Sequence, residues 1–122
     1  MQARTFCAKA VAMPDIESIH AHIYFDPPEL ALARALAEEA ATCFPLTIGR
    51  FHLSPVGPHP RGSCQLTVPR EQFGSFAQWL AQNRGELTVF AHLQTGDDLL
   101  DHTHHVIWFG QSETLDLRQF QA

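Results

Sequence analysis

The sequence predicts an α+β sandwich: an antiparallel sheet with helices on one face and an extra strand at its C-terminal end. Three observations carry this. Short stretches alternate polar and apolar residues with period two, as half-buried strands do. Between them lie two stretches of helical period, each opened by a proline signal. Their order, strand-helix-strand-strand-helix-strand within 122 residues, is that of a split βαβ or ferredoxin-like domain.

Residues 1–15 show no clear period and read as a loose N-terminal arm. The first strand, Ser18–Phe25, contains His20-Ala21-His22-Ile23-Tyr24-Phe25. Alternation places His20, His22 and Tyr24 on one face, and Ile19, Ala21, Ile23 and Phe25 on the other. Asp26 as cap, Pro27 at the first helical position and Glu29 three after the cap form a capping box. Leu32, Leu36, Ala40 and Cys43, with Ala33 and Ala37 beside them, then give an apolar helical stripe that Pro45 stops. Residues 47–53 read as a second strand, followed by the stiff Pro/Gly loop Ser54-Pro55-Val56-Gly57-Pro58-His59-Pro60-Arg61-Gly62.

Residues 63–68 read as a third strand, with Cys64, Leu66 and Val68 apolar and Ser63, Gln65 and Thr67 polar. Pro69 opens a second helix whose Phe73, Phe76, Ala77 and Leu80 form one face, and Gly85 ends it. The fourth strand, residues 86–93, packs Leu87, Val89 and Ala91 on one side and turns Thr88, Phe90 and His92 to the other. After the Thr95-Gly96-Asp97-Asp98 turn, residues 99–103 read as short and irregular, and residues 104–109 as the extra fifth strand. The tail, residues 111–122, is expected to pack through Leu115, Leu117 and Phe120.

Composition excludes several functions. Hydrophobic residues make up 45% and charged residues 17%, with no low-complexity run, so residues 1–122 are expected to form one folded domain. The formal charge is −5, with eight Lys and Arg against thirteen Asp and Glu, which argues against nucleic acid as a partner. Cys7, Cys43 and Cys64 are odd in number and lack CxxC spacing, so idle thiols in the cytoplasm are expected rather than disulfides or a thiolate metal site. Residues 6–13 make a poor signal peptide and no apolar run spans a bilayer, so no membrane partner is expected.

Eight histidines match the number of Lys and Arg. In the split βαβ topology the end of the fourth strand meets the beginning of the first, bringing His92 near His20 and His22. The second strand runs parallel to the first, two places over, and Arg50 and His52 are expected at that same end. Helices cover only the apolar sheet face, so the histidine face needs the extra strand, the tail or a second subunit, and a homodimer is the natural solution. Asp101-His102 follows the fourth strand closely. Imidazoles with a carboxylate and no cysteine suit Fe(II), Zn(II), Cu(II) or Mn(II), for oxygen chemistry or metal-assisted hydrolysis.

The stretches HAHIYFDP, RFHLSPVGPHP, WLAQNRGELTV, AHLQTGDDLLDHT and IWFG, in this order from Ser18 to Gly110, resemble the DOPA 4,5-dioxygenase family of fungal and bacterial catechol-cleaving enzymes. The resemblance implies a small ferredoxin-like subunit, often dimeric, that opens DOPA-like catechols with O2 on a non-haem metal, ferrous iron, with zinc a possible substitute in a purified sample. Motif by motif it matches His20 and His22 in HxHxYF, His59 in GPHP, His92 where the family has HP and this chain has His92-Leu93, and His102 in DHT. His52 matches the RFH of bacterial members only.

On this basis His20, His22 and His92 are expected as metal ligands, and His59 or His102 in proton transfer, with Tyr24 donating to a substrate oxygen or lining the pocket. Arg50 or Arg61 would hold a substrate carboxylate, beside His52. His104 reads as incidental and His105 as a support. A non-catalytic ferredoxin-like module that binds a metal or aromatic ligand is the alternative, since one fold hosts many functions.

Overall fold

The computed structural model describes residues 16–121; the expected N-terminal arm lies outside them. Five strands form one sheet in the order β2-β3-β1-β4-β5, with every neighbouring pair antiparallel. They are β1 (Ser18–Phe25), β2 (Thr47–His52), β3 (Gly62–Pro69), β4 (Thr88–His92) and β5 (Val106–Phe109). Helices α1 (Leu30–Cys43) and α2 (Phe73–Asn83) pack on one face, and a short α3 (Asp98–Thr103) joins β4 to β5. The expected ferredoxin-like order is present, with β5 added beside β4. No helix among the described residues is long and apolar enough to cross a membrane.

Local chemistry explains the helix boundaries. The capping box at Asp26 forms as expected, its backbone N–H donating to Glu29 Oε1 at 2.9 Å, but it opens a 3-10 turn, Pro27–Glu29, that leads into α1. The buried stripe of α1 is Ala33, Leu36, Ala37 and Ala40. Leu32, expected inside, is 63% exposed, and Cys43 is exposed too. The small alanines instead let α1 lie close on the sheet. From α2, Phe76 and Leu80 are fully buried, and Phe44 at the end of α1 stacks edgewise on Phe76 and Trp79, with ring centroids 5.7 and 5.9 Å away. Gly85, at φ 60°, supplies the left-handed exit from α2.

The helix-side core is apolar throughout: Ile19, Ala21, Ile23 and Phe25 from β1 meet Cys64, Leu66 and Val68 from β3, and Leu87, Val89 and Ala91 from the fourth strand and the turn before it. Each large side chain so buried contributes about 1.5–3 kcal/mol. In β2, Ile48 and Phe51 both pack against this core, and the pairing with β3 shifts between them. Gly49 and Arg50 occupy that bulge. Regular alternation would have sent Arg50 to the core side with Ile48; the extra residue turns it away.

The opposite face is covered in part by the chain itself, through the loop after β2 and the tail, the latter one of the three covers expected for it. The loop after β2 folds back so that His59 is only 8% exposed, and the tail is tied to it by the Asp116 N–H donating to the Pro58 carbonyl at 2.9 Å. Arg61 clamps these parts together: it donates to both carboxylate oxygens of Glu113 at 3.0 and 2.8 Å and lies 3.3 Å from Asp26 and 3.7 Å from Glu29. The stretch expected to be irregular is a helix, α3, because the Asp97 side chain caps it by accepting from the Leu100 N–H at 3.0 Å. His104 and His105 consequently lie in the turn before β5 and not within the strand.

Candidate functional site

Strand register builds the site. His20 stands directly opposite His92 across the β1–β4 pair, and His22 follows two residues along the same face. One nitrogen from each of the three comes within 4.8 Å of the others, a group that can hold a metal ion. The Nε2 atoms of His22 and His92 are 3.1 Å apart. His92 donates its Nδ1–H to the Leu93 carbonyl at 2.8 Å, so its Nε2 presents a lone pair when the ring is neutral.

Two nitrogens bound about 2.1 Å from one ion lie roughly 3.0–3.4 Å apart, so the spacing of His22 and His92 fits a shared metal. The donor set fits as well: three imidazoles without sulfur. Burial lowers the pKa of all three: His20 below its ordinary value, His22 well below it, and His92 to about 4, with the neighbouring histidines lowering each further. They are therefore neutral near pH 7, the form that ligates.

Two more histidines border the group. The His59 ring lies 4.1 Å from that of His22, and its Nδ1 shares a hydrogen bond with the Tyr24 hydroxyl at 2.7 Å. Burial pushes the His59 imidazole down to about 4 and raises the Tyr24 phenol, which stays protonated. On the other side His102 lies 4.1 Å from His92 and donates Nδ1–H to the Asp98 carbonyl at 2.7 Å, leaving its Nε2 free. Phe120 stacks on His102 at 4.4 Å. These groups surround a cavity of about 360 Å³ whose wall includes His20, His22, His59, His92, His102 and Phe120.

The short helix α3, which bears His102, is held by a buried carboxylate. Asp101, 2% exposed, accepts from the Thr95 N–H at 2.6 Å, the Thr95 hydroxyl at 2.7 Å and His105 Nδ1–H at 2.7 Å. Burial alone would raise its pKa, but these hydrogen bonds outweigh it and hold the carboxyl below its usual range. His105 is thus the expected support, while His104 is exposed.

Not every expected residue converges. Arg61 is engaged by three carboxylates and lines neither the histidine cavity nor the one beside it, so of the two arginines expected toward substrate it is Arg50 that lies on a cavity wall. His52 pairs with Ser63, which pairs with Tyr24, so it lies level with Tyr24 and not with His20 as expected. With Arg50 it lines a second cavity of about 260 Å³ that adjoins the first. Missed by sequence reasoning were Gln65, whose amide nitrogen lies 3.3 Å from His20 Nε2, and the pair Phe90 and Trp108, with ring centroids 4.5 Å apart beside Tyr24. The period of β3 and β4 had put Gln65 and Phe90 on the histidine face; no chemical signal marked them further.

The chain is 33% identical over 112 residues to the DOPA 4,5-dioxygenase of Amanita muscaria, covering 84% of this chain and 49% of that one. It is 40% identical over 108 residues to an uncharacterized 21.2 kDa protein of Botryotinia fuckeliana, covering 79% and 59% respectively. This chain therefore spans about half to three-fifths of the length of those curated relatives. A crystal structure of a candidate dioxygenase from Nostoc punctiforme superposes with a TM-score of 0.82 at 35% identity, over 87% of this chain and 95% of that one. With residues 19–119 matching the family as a whole, the chain belongs to the Dopa 4,5-dioxygenase family.

Proposed function

We propose that this protein is an extradiol dioxygenase that opens the ring of DOPA or a related catechol with O2 at a non-haem Fe(II) site held by His20, His22 and His92. The observation that carries this is the convergence of three imidazoles on the wall of an open cavity of about 360 Å³. Three protein ligands leave coordination positions for small molecules, which a closed structural site would not. Ferrous iron, when bound, supplies the Lewis acidity and redox capacity that let a catechol react with O2.

The chain's own residues would handle protons and position. His59 Nε2 takes a phenolic proton from the catechol, and the resulting imidazolium is steadied by its Nδ1–H on the Tyr24 oxygen, 2.7 Å away. His102, its Nδ1–H fixed on the Asp98 carbonyl, lies on the wall of the same cavity, where its Nε2 lone pair takes the catechol's second phenolic proton and later returns it to the opening ring, as His59 returns the first. Phe120, held on His102, keeps water from one side of the site.

A homodimer and a cytoplasmic setting belong to the same proposal. The outer edge of β5 pairs with no other described strand, and Ile107 there is 47% exposed; sedimentation at the mass of one chain would contradict a dimer. The free thiols of Cys43 and Cys64 suit a reducing compartment.

The test is oxygen uptake by anaerobically Fe(II)-loaded protein given L-DOPA and a small panel of catechols, with the visible spectrum followed in parallel. Uptake with a growing yellow ring-opened product is expected. Confirmed bound iron with no uptake on any catechol would contradict the proposal.

A further inference from the structure

We propose that the cavity beside the histidine cluster is an anion subsite, that Arg50 determines its specificity, and that the preferred substrate is a catechol whose side chain ends in a carboxylate and carries no ammonium group. This rests on the catechol-cleaving reading above and narrows its substrate class. Two cavities of about 360 and 260 Å³ share His22, His59 and Gln65 as wall, so one ligand can place its ring in the first and its side chain in the second.

Arg50 is set apart from the other described arginines. Arg61, Arg70 and Arg118 pair with carboxylates, Arg84 donates to the Gly85 and Leu87 carbonyls, and Arg34 lies over the Phe51 ring. Among the described residues Arg50 has no such partner. The bulge in β2 delivers it to the cavity, and that bulge depends on close approach to β3: a Cβ at Gly49 would come within 3.0 Å of the Gln65 carbonyl oxygen. An unpaired guanidinium on a cavity wall is a fork for a carboxylate.

The second cavity has no Asp or Glu in its wall; Arg50, His52, His59, Ser63 and Gln65 supply only cationic or neutral groups. A substrate ammonium there would meet a like charge and no anion. Asp98 and Asp101 line only the first cavity, whereas an α-amino acid carries both charges on one carbon. The lining therefore selects an arylpropanoate over the corresponding amino acid or amine.

The experiment compares kcat/KM for hydrocaffeate, L-DOPA, dopamine and 4-methylcatechol in the Fe(II)-loaded wild type and in Arg50→Gln and Arg50→Lys. Calorimetric binding of hydrocaffeate and L-DOPA to the Zn(II)-loaded protein adds a readout without turnover. Hydrocaffeate is expected to exceed L-DOPA about tenfold or more in both measures, the scale of one charge-assisted contact. Arg50→Gln should lower the ratio of hydrocaffeate to 4-methylcatechol about tenfold, through KM, with partial recovery in Arg50→Lys.

L-DOPA equal to or better than hydrocaffeate, or an unchanged ratio in Arg50→Gln, would overturn the subsite. If no catechol, 4-methylcatechol included, is turned over by iron-loaded protein, the catalytic reading fails separately. The calorimetric arm still decides the subsite, which stands only if hydrocaffeate binds more tightly than L-DOPA and Arg50→Gln weakens it.

Discussion

One strand belongs to two different environments. On its helix side β1 contributes Ile19, Ala21, Ile23 and Phe25 to a core without an ionisable side chain other than the Cys64 thiol. On its other side, one residue away in each case, it contributes His20, His22 and Tyr24 to a cluster of imidazoles. The first face is a surface any set of apolar side chains of suitable volume could fill. The second gathers groups that cost stability to bury, with pKa values lowered by desolvation and by one another. Residues that fold the chain and residues that give it chemistry are thus separated by the pleat of a strand, and substitutions on the two sides should fail in different ways.

The largest effect should come from the polar face. His92→Ala removes one of three converging nitrogens, and metal affinity should fall by more than the about 10–100-fold typical of removing only a ligand's support. Turnover should be lost with it while the far-UV spectrum stays native. Normal metal stoichiometry and full turnover in that variant would break the distinction between the faces. His59→Gln should sharpen it: metal binding is kept while kcat falls by about 10²–10⁴, the usual worth of a positioned acid or base. Equal loss of metal from that variant would make His59 a ligand instead.

From the apolar face, Phe76→Ala should cost about 3–5 kcal/mol in urea denaturation, as expected for a buried phenylalanine, and leave the metal affinity of the folded protein unchanged. An unaltered denaturation midpoint would mean that α2 is not docked as described. Acid should act on the polar face alone. His59 and His92 are held near 4 when folded, against an ordinary 6.5, so the unfolded chain takes up protons first as the pH falls. Stability of the metal-free protein is then complete above pH 6.5 and declines toward pH 4, by at most about 1.4 kcal/mol per unit for each histidine. A flat melting temperature across this window would contradict the burial of the cluster.

The smallest effect should come from the clamp. Arg61→Ala removes a partly exposed ion-pair network and should cost about 1 kcal/mol, screened by salt, with no selective effect on catechols bearing a carboxylate. Such a selective effect would return Arg61 to the substrate site.

The two faces also differ in how far they could be read from the residues. Period two in β1, β3 and β4 is a local property, and with the split βαβ topology it was enough to place His92 against His20. The α2 face was equally plain, because Phe76 and Leu80 recur at helical spacing. What escaped depends on contacts made after the chain has folded. The β2 bulge at Gly49 and Arg50 shows only in the register against β3. The α1 stripe was shifted because alanine at 33, 37 and 40 packs closer than Leu32 could. Arg61 looked like a substrate residue until the fold brought Glu113 to it, 52 positions along the chain.

The central claim, that the polar face of this sheet is a three-histidine metal centre, is tested most directly by X-ray absorption on protein loaded with Fe(II) under anaerobic conditions. The expected spectrum shows nitrogen and oxygen neighbours at about 2.0–2.2 Å, the outer scattering of three imidazoles, and loss of one of them in His92→Ala. Sulfur at about 2.3 Å, or oxygen neighbours without imidazole scattering, would contradict it.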